Sequence, residues 1–261
     1  MLVIGEKLNS SIPSAYAAMQ GDDEGIIKLI KLQAEAGASY LDVNTALFEQ
    51  DETVMMKRIV RLVIDNCDCG IMLDSPNPEV LAEVIGECEG RTVILNSVTA
   101  DERIDELAPV AAKYGCGVVV LPMDMNGIPE TAEGRLECAL RAIGKLKETG
   151  VAEENIYVDA ICETLATCDT NARVALDTIA LIKSRTAAKT TCGLSNVSFG
   201  LPKRAFINGA FLAIAAYNGL DSAIIDPSSK ELRKARFSAM AVCGKDEYCM
   251  DYISYVREEL E

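Results

Sequence analysis

Short apolar runs alternate with amphipathic stretches along almost the whole chain, and seven of the runs end in a carboxylate or an amide. These ends are Ile4-Gly5-Glu6, Leu41-Asp42-Val43-Asn44, Met72-Leu73-Asp74, Ile94-Leu95-Asn96, Tyr157-Val158-Asp159, Gly193-Leu194-Ser195-Asn196 and Ile224-Ile225-Asp226. The pattern predicts buried strands over 2–5, 40–44, 70–74, 92–96, 117–122, 155–159, 189–194 and 222–226, each followed by a stretch that reads as helix. Helix starts are signalled by Asn77-Pro78, by Thr99 with Glu102 and by Ser228 with Glu231. In the fifth helix Leu136, Ala139, Leu140, Ile143 and Leu146 form one apolar stripe. Eight such βα units predict a single (β/α)8 TIM barrel, an α/β fold whose polar strand ends build a site at one rim. Gly and Pro fall only as turn punctuation, so residues 1–261 are expected to form one domain.

Composition narrows the possible activities. The 261 residues and 49% hydrophobic content suit one full barrel core. No apolar stretch approaches a membrane span, and Met1-Leu2-Val3-Ile4-Gly5-Glu6-Lys7 lacks the order of a leader, so a soluble, cytoplasmic protein with no membrane partner is expected. A net charge of −15, with 25 scattered Lys and Arg, argues against nucleic acid as a partner. The ten cysteines stand mostly alone inside apolar runs, as small core residues of a reducing compartment do. The close pair, Cys67-Asp68-Cys69, lacks the spacing of a zinc or iron–sulfur site. Histidine is absent, which removes Ser/His/Asp and Cys/His nucleophilic machinery and His-rich metal centres.

An Asp or Asn just past a strand is often only a helix cap or an Asx-turn. Several on neighbouring strands say more, because uncompensated carboxylates in one cavity repel and desolvate one another unless a ligand supplies N–H donors or positive charge. Asp42, Asp74, Asp159 and Asp226 offer oxygen ligands, but they sit far apart around the barrel with amides between them and no close acidic pair, so no metal is expected on this chain. An organic ring with a guanidine-like edge fits better, since paired N–H donors meet one carboxylate in two parallel hydrogen bonds. Lys189 begins its strand, which places it at the stability end of the barrel and sets aside Schiff-base chemistry.

The segments Gly5-Glu6-Lys7-Leu8-Asn9, Leu41-Asp42-Val43-Asn44, Leu73-Asp74-Ser75, Leu95-Asn96-Ser97, Tyr157-Val158-Asp159 and Gly193-Leu194-Ser195-Asn196-Val197-Ser198-Phe199-Gly200 together resemble the pterin-binding methyltransferases. Within that family the chain is similar to the stand-alone enzymes that move a methyl group between tetrahydrofolate and a corrinoid protein. The resemblance implies that Asp74, Asn96 and Asp159 hold the pterin ring and that Asn196 approaches N5, the atom that gains or loses the methyl. It further implies contacts from Gly193, Ser195 and Ile224 and a basic residue, Arg204, near the folate. Tetrahydrofolate or 5-methyltetrahydrofolate is then a substrate, and the corrinoid comes from a separate partner protein, because this chain has no histidine to ligate cobalt. A homodimer is also implied.

The expected reaction aligns N5 with cobalt for in-line displacement, with Asn196 able to accept from a protonated N5 or donate to a neutral one. Phe199-Gly200-Leu201-Pro202 and Ala160-Ile161-Cys162-Glu163-Thr164 depart from the carbon-fixation branch and lean toward enzymes that serve demethylation. Two alternatives stand beside this reading. Dihydropteroate synthase shares the barrel, but its later strands carry a Ser-Arg-x-His type motif that this chain lacks. A non-catalytic folate-binding subunit of a corrinoid complex would bind folate without moving the methyl.

Overall fold

The computed structural model describes residues 1–88 and 90–260. Eight strands, β1 (Leu2–Asn9), β2 (Tyr40–Asn44), β3 (Gly70–Asp74), β4 (Val93–Val98), β5 (Gly117–Val120), β6 (Ile156–Asp159), β7 (Lys189–Thr191) and β8 (Ser222–Ile225), pair in parallel in the order β7-β6-β5-β4-β3-β2-β1-β8. The seam between β7 and β8 is closed by a parallel bridge, Gly193 to Ile224, with the Ile224 N–H donating to Cys192 O at 2.9 Å. The result is a (β/α)8 barrel with the helices outside it.

The helices are α1 (Pro13–Gln20), α2 (Asp23–Glu35), α3 (Glu52–Asn66), α4 (Pro78–Val84), α5 (Ile104–Tyr114), α6 (Ala132–Glu148), α7 (Asn171–Arg185), α8 (Arg204–Asn218), α9 (Lys230–Val242) and α10 (Met250–Leu260). Asn77 caps α4 as expected, its side chain accepting from Glu79 N–H at 3.0 Å. Two other start signals are displaced. Thr99 does engage Glu102, whose N–H it accepts at 2.9 Å, but that box closes a separate turn; Arg103 adopts φ 61° and α5 starts only at Ile104. Ser228 is held in an Asx-turn by Asp226, so the next residue, Ser229, caps α9 through the Leu232 N–H. The stripe of α6 is also rotated: Cys138, Ala139, Ala142, Ile143 and Leu146 are buried, while Leu140 is 44% exposed.

The inside of the barrel is layered by the two-residue period of its strands. A lower apolar layer is built from Ile4, Tyr40, Met72, Ile94, Val119, Tyr157 and Ile224. Two positions further along the same strands stand Glu6, Asp42, Asp74, Asn96, Leu121, Asp159 and Asp226, and all of these line one cavity at the C-terminal rim. The mainly acidic ring is therefore the next inward layer of strands whose previous layer is aliphatic and aromatic.

Lys189 lies at the opposite end, its Nζ 3.3 Å from the Tyr157 hydroxyl and 4.9 Å from the centre of that ring. Cys67 and Cys69 also flank the start of β3, with their thiols directed at Val63 O and Ala38 O at 3.5 and 3.2 Å. Burial pushes the Cys69 thiol up to about 12, aided by the neighbouring Cys67. A thiol so far from thiolate formation is a poor nucleophile and a poor metal ligand. Cys67→Ser and Cys69→Ser are expected to leave activity nearly unchanged, as measured by turnover together with metal analysis. Loss of activity with loss of a bound metal would contradict that.

Candidate active site

The rim cavity encloses about 720 Å³. Every residue singled out from the sequence lines it: Asp74, Asn96, Asp159, Gly193, Ser195, Asn196, Arg204 and Ile224. One of these strand ends differs in local form from expectation. β7 stops at Thr191, and Leu194–Ser198 is a 3-10 turn rather than strand, which brings Ser195 and Asn196 over the mouth. Gly193 leaves the Asn196 amide its place, since a Cβ on it would stand 3.0 Å from Asn196 Nδ2.

Three of the rim carboxylates are held by specific neighbours. Asn44 donates from Nδ2 to Asp74 Oδ2 at 2.9 Å, while its own Oδ1 accepts from Ala46 N–H at 3.1 Å. Asp159 accepts the Ile161 N–H at 2.7 Å, and Ile161 adopts φ 49° to present it. That turn is clamped by Arg135 of α6, which is fully buried and donates from Nη1 to Ala160 O and Ile161 O, both at 2.8 Å, and from Nη2 to Glu163 at 2.7 Å. Arg204 braces the opposite loop, donating from Nη2 to Ser195 O at 2.6 Å and from Nε to Ser198 Oγ at 3.1 Å. Asp226 is neutralised by Lys7 Nζ at 2.9 Å and by the Ser228 turn.

Burial dominates the electrostatics. It raises Asp74 and Asp159 to about 6 against the favourable hydrogen bonds from Asn44 and Ile161 N–H, and it raises Asp42 well above the carboxylate range with the help of Asp74 and Glu6. Glu6 is raised to about 7, first by burial and then by the charge of Asp226. Asp42 Oδ1 and Asn208 Oδ1 are buried, line the cavity and have no partner among the described residues. Such a cavity is prepared for a ligand that brings several N–H donors. Among the described residues, no three His, Cys, Asp or Glu side chains converge closely enough to hold a metal ion.

The pterin binding enzyme family model matches residues 5–226, from the first strand to the last rim carboxylate. The chain belongs to the pterin binding enzymes. It is 32% identical to a methylcorrinoid:tetrahydrofolate methyltransferase of Eubacterium limosum over 99% of this chain and 97% of that one. It is also 32% identical to the methionine synthase of Mycobacterium tuberculosis, where 87% of this chain corresponds to 20% of the larger protein. Among solved structures, a Coxiella burnetii dihydropteroate synthase in complex with pteroic acid shares the fold at a TM-score of 0.70, with 16% identity and 93% of each chain covered. A Yersinia pestis dihydropteroate synthase with a sulfonamide drug complex does so at 0.72, with 17% identity over 92% of this chain and 93% of that one.

As a pterin binding enzyme, the chain contains three site features that residue types alone do not disclose. Arg135 sits in an apolar stripe and reads as an exposed charge. Asn208 lies inside a helix, where an amide carries no signal. Lys7 follows Glu6 directly and reads as facing away from the rim, but a bulge in β1 that the sequence pattern does not mark brings it to Asp226.

Proposed function

We infer that this chain transfers a methyl group between a methylated corrinoid protein and N5 of tetrahydrofolate. The observation that carries the reading is the pair of half-buried carboxylates, Asp74 and Asp159, that have no ion-pair partner among the described residues and flank Asn96, with the Asn196 turn above them. The full-length similarity to the Eubacterium limosum methyltransferase supports the reaction class. Asp74 and Asp159 accept the 2-amino and ring N–H groups of the pterin, and Asn96 meets its mixed donor and acceptor edge. Asn196, exposed at the mouth, reaches N5 where the corrinoid protein approaches. Its amide interacts with N5 in either protonation state and does not titrate. In the demethylating direction the N5 lone pair takes the methyl while the carbon–cobalt bond pair stays on cobalt as Co(I). The protein's contribution is alignment of N5 and control of its proton.

Anaerobic mixing with methylcobalamin and tetrahydrofolate tests this by loss of the methyl–cobalt absorbance. A non-catalytic folate binder would retain the band, and a dihydropteroate synthase would instead form dihydropteroate and diphosphate from a dihydropterin diphosphate and p-aminobenzoate.

A homodimer belongs to the same proposal and draws on α8. From Ala205 to Asn218 this helix has no charged residue, and its outward face carries Phe206, Ala210, Ile214 and Tyr217, with Phe206 72% and Tyr217 79% exposed. An uncharged stripe of this kind on a chain that is 25% charged is the surface a second copy covers. Ile214→Glu is expected to convert a dimer to a folded monomer in light scattering after size exclusion. A monomeric wild-type protein would contradict the assignment. No described helix is long and apolar enough to cross a membrane.

A further inference from the structure

β1 and β2 fall out of step between Gly5 and Leu8: Gly5 opposes Leu41 and Leu8 opposes Val43, so β1 carries one extra residue at Glu6-Lys7. A bulge leaves a backbone N–H without its ladder partner and redirects side chains. Here the Lys7 N–H is taken by Gln33 Oε1 at 2.8 Å, from a fully buried glutamine of α2. Gly5 leaves the room this needs, since a Cβ there would stand 2.5 Å from that oxygen. The bulge lets two consecutive residues serve the rim: Lys7 reaches Asp226 while Glu6 lines the cavity. A buried side chain from another element is thus committed to holding the backbone beside Glu6.

Glu6 meets the same turn that carries Asn196. Its Oε1 lies 3.5 Å from Ser195 Oγ, one residue before that amide. The charged and titratable groups facing it are Asp226 at the end of β8, Lys7 on its own strand, Arg204 of α8 and Asp42 of β2. Asp74 and Asp159 are occupied by Asn44 and the Ile161 N–H, and Asp226 by Lys7. Glu6 has no cation within ion-pair distance among the described residues.

We propose that Glu6 takes up the proton that tetrahydrofolate releases from N5 during methylation, and returns it in the reverse reaction. This rests on the methyl-transfer reading above. The secondary amine N5–H uses its lone pair to form the new N–CH3 bond while the carbon–cobalt pair leaves with cobalt. As positive charge develops on N5, its hydrogen passes as a proton to the ionised Glu6 carboxylate in the same step, giving the neutral tertiary amine and a carboxylic acid, which releases the proton to solvent. Asn196 cannot end this sequence, because an amide does not hold the proton. A carboxyl raised to about 7 is matched to both directions near neutrality.

The test is the pH profile of single-turnover methyl transfer from methylcobalamin at saturating tetrahydrofolate, so that affinity drops out. Wild type is expected to lose rate as pH falls through about 7, the limb on which Glu6 becomes protonated. Glu6→Gln is expected to lower the rate by about 10²-fold and abolish that limb, with folate affinity retained. Glu6→Asp keeps a carboxyl and is expected to show a limb displaced in pH. An unchanged limb in Glu6→Gln overturns the proposal, and should that variant not fold, an unmoved limb in Glu6→Asp overturns it alone. Absence of transfer by wild-type protein, from methylcobalamin and from methylated corrinoid proteins alike, overturns the methyl-transfer reading and this inference with it. Transfer by wild type with a profile indifferent to Glu6 overturns only the latter.

Discussion

Asn196→Ala is expected to slow methyl transfer by about 10²- to 10³-fold while folate affinity changes little, the loss typical of one preorganised polar group at the reacting atom. The Asn196 side chain is exposed at the mouth, so its truncation leaves no cavity. The turn itself survives, because it is held by backbone bonds, Asn196 N–H to Gly193 O at 3.1 Å and Phe199 N–H to Asn196 O at 3.0 Å, and by Arg204 on Ser195 O. A lower rate at saturating folate therefore reports the side chain and not a collapsed loop. Single-turnover kinetics decide the point: a rate within about twofold of wild type would remove Asn196 from N5.

The second large effect is on binding. Asp159→Asn is expected to weaken tetrahydrofolate binding by about 1–3 kcal/mol, because a pterin N–H loses its charged acceptor. The amide oxygen still accepts the Ile161 N–H, and Arg135 still clamps the turn, so the cavity keeps its shape. The pH dependence follows from the same carboxyl. In the free protein Asp159 is raised to about 6, and the pterin N–H donors favour its ionised form. Affinity is then complete above about 6 and declines as pH falls through that value, as it does for Asp74. Calorimetric titrations across this range are expected to show the decline in wild type and a shallower one in Asp159→Asn. Stability moves the other way. A carboxyl whose folded value lies above its unfolded one contributes most at low pH and loses that contribution as pH rises through about 6. At neutral pH without ligand, Asp159→Asn should therefore melt at a higher temperature than wild type. An unchanged affinity would contradict the pocket assignment.

Much of the barrel and its rim is legible in the residue pattern because one physical rule, the two-residue period of a strand, generates both. Ile4, Met72, Ile94, Tyr157 and Ile224 are apolar and inward; Glu6, Asp74, Asn96, Asp159 and Asp226, two residues on, are polar and inward at the open end. The features that the pattern does not carry depend on backbone departures from that rule. The extra residue in β1 brings Lys7 to the rim beside Asp226, the early end of β7 converts the Gly193–Ser198 segment into a turn, and the left-handed Arg103 and Ile161 displace a helix start and shape the Asp159 loop. Arg135 is hidden for a different reason: burial of its guanidinium is decided by carbonyls that arrive from a loop 25 residues later. The dihydropteroate synthases share this scaffold at 16–17% identity, which shows the fold and leaves the chemistry to the residues at the rim.

The most direct measurement is anaerobic incubation of the purified protein with tetrahydrofolate and methylcobalamin labelled with ¹³C in its methyl group, followed by NMR of the folate product. The account predicts that the label appears on N5 of 5-methyltetrahydrofolate at a rate that collapses in Asn196→Ala. Tight folate binding with the label retained on cobalt, including in the presence of native corrinoid proteins, would contradict it.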